Sequence, residues 1–308
     1  MISSYLPSTV HMGIHKTGST FMQRHFFPLL AGARYLPLRT THRDFLRYLL
    51  YADDFVFTGA TARDMLLANL GCTEPTDAFL LSDEQLYGSP WDGAALRRRN
   101  AERLAAALPG SRIVVVLRNQ RALLQSLYLQ YIKTGGSAHW SQFLAADRHP
   151  LITSISYYRF AEYLHYLFRL FGRQQVAVFL YEDFLSDATS YLNGWCDFLG
   201  LSRELWDRRI LDRRENISLS PRAVPLMRLA NKFTSSLRRP YSLFPRAAQI
   251  FSERALLKFS FKFRRDCRKP AIPIYAAEEF LRGCHDSNHL LEELLGRSLR
   301  GLGYPGID

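Results

Sequence analysis

The stretch VHMGIHKTGSTFMQRHFF, from Val10 to Phe27, sets one ammonium and three hydroxyls among two glycines. Its chemistry is anion binding. Gly18 can adopt a backbone that bulkier residues resist, turning successive N–H groups toward a ligand. A helix starting at Ser19 adds its positive end. Thr17, Ser19 and Thr20 bring hydroxyl donors, and Lys16 brings a mobile full charge. A triphosphate loop reads G-x-x-x-x-G-K-[ST]. Gly13 and Gly18 keep that spacing, but Ser19 follows Gly18 and the lysine lies inside the loop at Lys16.

Two other clusters could complete a site. Arg118 ends the apolar run RIVVVL, and Ser126 follows eight residues later. A guanidinium at a strand tip grips phosphate through paired hydrogen bonds, although strand-end arginines also serve simply to reach solvent. In FLLSDEQLYGSPW, Ser82, Asp83 and Glu84 fall at a second strand tip. A carboxylate in a partly dry cleft has its pKa raised and becomes a better base. On a triphosphate reading, Asp83 would instead hold magnesium. His15 and His42 are further candidate bases; His15 reads as a loop-packing residue and His42 as an exposed neighbour of a helix cap.

These residues need a scaffold. Thr9–Ile14, Ala78–Ser82, Arg112–Leu117 and Gln175–Tyr181 read as short buried strands, continuously apolar rather than alternating. Ser19–Leu30 reads as a helix with Phe21, Met22, Phe26, Leu29 and Leu30 inward. Amphipathic stretches at Ala60–Leu70, Ala94–Leu108, Ala122–Lys133 and Tyr157–Phe171 alternate with the strands. The pattern predicts an α/β fold with a central parallel sheet of about four to five strands, covered by helices on both faces. The loops after Ile14, Ser82 and Leu117 would then meet at the carboxyl edge of the sheet.

The chain has 308 residues and a net charge of +12, which favours anionic ligands, nucleic acid or acidic membrane. One domain over 1–308 is expected, with a core of about 9–222 and a helical, basic extension of about 223–308. Arg228–Pro270 is rich in basic and aromatic residues; it reads as a packed lid near an acceptor, with contact to anionic membrane second. Cys72, Cys196, Cys267 and Cys284 are isolated, which argues against a zinc site and fits a reducing compartment. No leader pattern and no membrane-length apolar run is evident, so a cytoplasmic location is expected, with peripheral membrane association as the variant.

Lys16-Thr17-Gly18-Ser19-Thr20 followed by Arg118 and Ser126 resembles the sulfotransferases that use 3′-phosphoadenosine 5′-phosphosulfate (PAPS). In that family K-[TS]-G-[ST]-[ST] holds the 5′-phosphosulfate, and R-x7-S holds the 3′-phosphate. Ser156–Phe184 and Leu192–Leu201 are similar to the family's later helix, strand and helix. The resemblance implies a P-loop-like sulfotransferase fold and sulfuryl transfer to an acceptor hydroxyl, leaving adenosine 3′,5′-bisphosphate (PAP). It implies that Lys16 steadies the leaving oxygen. The Ser-Asp-Glu segment resembles carbohydrate sulfotransferases, whose glutamate deprotonates the acceptor. That role falls on Glu84, with Asp83 its rival, and suggests a carbohydrate or glycolipid acceptor. No metal and no nucleic-acid partner are expected. Arg214, Asn216, Ser218 and Arg222 could form a late loop over the nucleotide, and Tyr181, Glu182 and Asp183 read as structural. A P-loop kinase or NTPase, and a non-catalytic binder of nucleic acid or anionic surfaces, stand as alternatives.

Overall fold

The computed structural model describes residues 8–30, 32–70, 78–145, 152–213, 219–233 and 270–307. Five parallel strands form one sheet: β1 (Ser8–His11), β2 (Arg34–Pro37), β3 (Phe79–Ser82), β4 (Arg112–Leu117) and β5 (Val176–Leu180). They lie in the order β2-β3-β1-β4-β5. Alternate residues feed the two faces. Ile113, Val115 and Leu117 of β4 enter the larger core cluster, whereas Val114 and Val116 enter the smaller one with Trp195 and Phe27. Burial on both faces is why the strands read as unbroken apolar runs.

The central position of β1 places its exit. From β1 the chain goes to one side of the sheet, to β2 and β3, before β4 and β5 build the other. A crevice opens at such a reversal, beyond the carboxyl ends of the strands. Past His11 the chain stays extended: Met12 N–H donates to the Val114 carbonyl at 2.8 Å, and Ile14 N–H to that of Val116 at 3.4 Å. The loop from Gly13 is therefore launched from a fixed rail. Asp83 and Arg118 leave the two strands that flank β1, since His11 pairs in register with Ser82 of β3 and with Val114 of β4.

The expected helix Ser19–Leu30 differs from a regular one. One α-helical turn at Ser19–Phe21 widens into π-helical turns over Met22–Phe26 and tightens to 3₁₀ at Phe27–Leu29. Pro28 has no N–H to continue the ladder, and the wide turn shifts the phase of the buried face. Phe26 and Phe27 are consecutive and both fully buried, while Leu29, expected inward, is 42% exposed.

Helices Gly59–Leu70, Arg97–Ala107, Gln120–Lys133 and Phe160–Phe171 cover the sheet near the expected positions. The C-terminal portion is helical: Ile274–Leu281 packs on Gln120–Lys133, and His285–Leu295 packs on Phe160–Phe171. Leu281, Leu291, Leu299 and Tyr304 are buried in the larger core cluster. Most of the basic segment, residues 234–269, lies outside the described residues, as do Arg214, Asn216, Ser218, Cys72 and Cys267. Among the described residues, no helix is long and apolar enough to cross a membrane.

Candidate active site

The loop after β1 is closed by its own side chains. Thr17 Oγ1 donates to the Ile14 carbonyl at 2.6 Å, so this hydroxyl is spent inside the turn. Lys16 and Gly18 both adopt left-handed backbone, at φ 72° and 84°. Glycine takes that conformation freely, but a lysine there needs its surroundings to hold it. Arg118 does so, its Nη1 donating to the Lys16 carbonyl at 2.8 Å. Burial depresses the Lys16 pKa, and the Lys133 charge adds to this; Glu84 opposes the shift and Arg118 reinforces it.

Two buried polar atoms face each other under the loop. A Cβ on Gly13 would stand 2.6 Å from His11 Nε2 and 2.9 Å from Ser19 Oγ, so only glycine leaves that space open. Both atoms are buried and without a hydrogen-bond partner among the described residues, and the Ser19 hydroxyl helps to hold the Glu84 pKa down. Below them His11 Nδ1 pairs with Ser82 Oγ at 2.8 Å, and Gln23 Nε2 donates to the same oxygen at 3.0 Å. Burial pushes the His11 pKa down to about 3, which keeps the imidazole neutral. An unpartnered hydroxyl, an ammonium and a helix start form a cradle that fits a phosphate or sulfate oxygen, to which His11 Nε2 adds a donor in the tautomer where Nδ1 accepts from Ser82.

The carboxylates at the tip of β3 have separate surroundings. Asp83 is 1% exposed, receives Arg39 through both Oδ2 at 2.6 Å and Oδ1 at 3.2 Å, and caps the following turn by accepting Gln85 N–H at 2.7 Å. Its acceptor capacity is largely committed. Glu84 meets Arg39 at a longer 3.3 Å. Burial raises its pKa; the Arg39 charge opposes this, Asp83 reinforces it, and Ser19 and Lys16 pull it back. Arg39 is thus the main counter-charge of Glu84, and Lys16 in the loop adds a weaker attraction.

His15 and His42 take other environments. Tyr157 Oη lies 3.3 Å from His15 Nδ1. Burial lowers the His15 pKa to about 4, with Arg39 adding to this, Asp83 opposing and Lys16 adding again. His42, expected to be exposed, is only 3% exposed, and its side chain caps nothing on helix Arg43–Tyr51. The turn at Thr40–Thr41 folds back onto the Pro37 carbonyl and carries His42 inward.

Arg118 leads into helix Gln120–Lys133. Its guanidinium lies over the Tyr181 ring, 4.8 Å from the centroid. Ser126, along the same helix, is half-buried and makes no side-chain hydrogen bond among the described residues. Thr20 is half-buried at the start of the loop's helix. Arg222, the described member of the late loop, lies in a 3₁₀ turn at Pro221–Ala223.

Comparison with known proteins adds the fold. No protein-family model matches this chain, and no curated protein does. Among solved structures, the crystal structure of a sulfotransferase from Alicyclobacillus acidocaldarius superposes with a TM-score of 0.57 at 15% identity, covering 95% of this chain and 97% of its own. The chain has the sulfotransferase fold. The sulfotransferase domain of the curacin biosynthetic pathway gives a TM-score of 0.39 at 13% identity over 70% of this chain and 80% of its own. A mouse sulfotransferase complexed with PAP gives 0.36 at 11% identity over 63% and 59%. The first likeness extends beyond the span of about 9–222 that the motifs carry.

Within this sulfotransferase fold, two residues matter that the sequence did not single out for the site. Arg39 joins Asp83 and Glu84 from the segment after β2, and only tertiary structure brings it there. Tyr181, a structural residue on the sequence reading, places its ring 3.1 Å from where a Cβ on Gly18 would stand and also beneath Arg118. It packs between the two anion-binding candidates. Its neighbour Glu182 accepts from both the backbone N–H and the side chain of Asn119, each at 2.9 Å.

Proposed function

We propose that this protein transfers a sulfuryl group from PAPS to an acceptor hydroxyl, with a carbohydrate or glycolipid as the acceptor class. The observation that carries the reading is the loop after β1, where Arg118 Nη1 holds the Lys16 carbonyl at 2.8 Å with Lys16 and Gly18 in left-handed backbone, and Glu84 at the neighbouring strand tip completes a cation–carboxylate pair. In-line displacement at sulfur needs this pair. A bond forms from the acceptor oxygen to sulfur while the bond from sulfur to the bridging oxygen breaks; the acceptor proton passes to Glu84, and the departing phosphate gains the charge that Lys16 stabilises. The loop amides with Ser19 and Thr20 orient the 5′ end, and Arg118 with Ser126 holds the 3′-phosphate. Positioning and electrostatics then carry the catalysis, as in phosphoryl transfer.

The engagement of Asp83 by Arg39 and by its own turn supports this reading over a triphosphate-using enzyme, which would need that carboxylate for magnesium. A sulfuryl group carries less charge than a phosphoryl group, so the proposed reaction needs no metal; activity is expected to survive a chelator.

The test is calorimetric titration with PAP, alongside radiolabelled sulfate transfer from PAPS to a panel of glycans, lipids and peptides. Binding of PAP with transfer to a hydroxyl acceptor is the expected result. A protein indifferent to PAP but binding ATP–Mg²⁺ tightly would overturn the proposal.

A further inference from the structure

A cavity of about 370 Å³ opens beside the candidate base, lined by Arg39, Arg43, Leu46, Arg47, Tyr51 and Gln85. Among the described residues its lining holds three guanidinium groups and no carboxylate. Arg39 is committed to Asp83 and Glu84, but Arg43 and Arg47 make no hydrogen bond or ion pair among the described residues. They stand four residues apart on helix Arg43–Tyr51, so both project from one face, one turn apart, with Tyr51 a further turn along. Tyr51 is 64% exposed and offers a bare ring beside them, while buried Leu46 forms an apolar floor. A solvated helix face would intersperse charges of both signs; this one collects cations around a concavity.

We infer that the cavity binds an anionic acceptor, a hydroxyl-bearing sugar carrying a carboxylate, sulfate or phosphate, and that Arg43 and Arg47 select it. The inference rests on the proposed sulfuryl transfer and names its substrate class. Arg39 fixes the geometry, since one guanidinium reaches Glu84 and also lines the cavity. An anion seated on Arg43 and Arg47 would hold the sugar beside Arg39 and Gln85, the cavity residues next to Glu84. Planar guanidinium forks suit all three anions, and a ring face such as that of Tyr51 suits the apolar side of a sugar.

The experiment uses the full chain saturated with PAP, titrated with tetragalacturonate, neocarratetraose sulfate and mannose phosphate, with chitotetraose as the neutral control. The three charged probes separate the three anion sources. At least one should bind about tenfold or more tightly than chitotetraose, and the Arg43→Glu/Arg47→Glu variant should lose that margin while keeping its PAP affinity. The milder Arg43→Gln/Arg47→Gln variant serves if charge reversal disturbs folding, with PAP binding reporting the folded state. Unchanged affinity for the charged probes in the variants would overturn the inference. So would wild-type protein that binds no charged probe better than chitotetraose. Failure to bind PAP would instead strike the sulfuryl-transfer reading, and the sugar titrations would still judge the cavity.

Discussion

The two sides of the cleft spend their charges differently. On the loop side, Arg118 is committed to the Lys16 carbonyl and the Tyr181 ring, Thr17 to Ile14, and Glu182 to Asn119. On the cavity side, Arg43 and Arg47 have no such commitments among the described residues, whereas Arg39 is tied down. A group that must hold one ligand in one pose benefits from being fixed beforehand, because little ordering cost remains at binding. A group that selects among acceptors needs its charge available. The contrast suits a rigid donor half and an adaptable acceptor half, and each of the following measurements would break it or sharpen it.

The largest effect should come where the halves meet. Glu84→Gln keeps the shape and hydrogen-bonding reach of the side chain but cannot take a proton, so turnover is expected to fall by about a thousandfold. Nucleotide affinity should stay near that of the parent. The pH profile gives a second readout. Because the Glu84 pKa is raised, the fraction ionised and the rate should climb with pH above the ordinary carboxylate range, and that limb should vanish in the variant. Near-normal turnover would remove Glu84 as the base and weaken the division between halves.

Arg118→Ala comes next. It removes the guanidinium proposed to hold the 3′-phosphate and frees the left-handed Lys16 peptide from its partner. PAP should bind about ten- to a hundredfold more weakly, the range of one or two charge-assisted hydrogen bonds. Calorimetry checks this. An unchanged affinity would mean that Arg118 only braces the loop.

Much of this was readable from sequence, and the failures have physical causes. Four strands announced themselves because burial on both faces demands unbroken apolar residues. β2 did not: Arg34–Pro37 is an edge strand in which only Leu36 is buried, and it ends in a proline. The phase of the helix after the loop was misread because a π-helical turn leaves no mark on a 3.6-residue pattern. The loop itself, Lys16 to Thr20, was legible because its neighbours in sequence are its neighbours in space. Arg39 was not, since its meaning depends on Asp83, reached only through the packing of β2 on β3. For the same reason the commitments of Tyr181 and Glu182 needed coordinates.

A smaller effect probes how tightly the loop side is packed. Gly18→Ala would force a side chain into left-handed backbone at φ 84° and bring its Cβ to 3.1 Å from the Tyr181 ring. The backbone preference alone costs about 1–2 kcal/mol. Chemical denaturation should show at least that loss of stability, together with weaker PAP binding as the ring is displaced. Full stability would mean that the loop and Tyr181 have room to move, which would bring the donor half closer in character to the acceptor half.

The smallest effect, that of Arg297→Ala, comes from comparing two adjacent acids just past β5. Glu182 receives two donors of Asn119, both within the cleft wall, whereas Asp183 pairs with Arg297 at 2.7 and 3.0 Å on the surface. Both groups of the surface pair are more than a third exposed, so solvent screens their attraction. Arg297→Ala is therefore expected to cost only about 0.2–1 kcal/mol, and less at high salt. Glu182→Ala, by leaving an Asn119 N–H without its acceptor, should cost about 1–3 kcal/mol and loosen the start of the helix that follows Arg118 and carries Ser126. Denaturation of both variants at low and high salt decides between a cleft braced from within and one braced by its surface charges. If the Arg297 variant proved the more damaging, the rigidity assigned to the donor half would come from the C-terminal portion rather than from the strand tips.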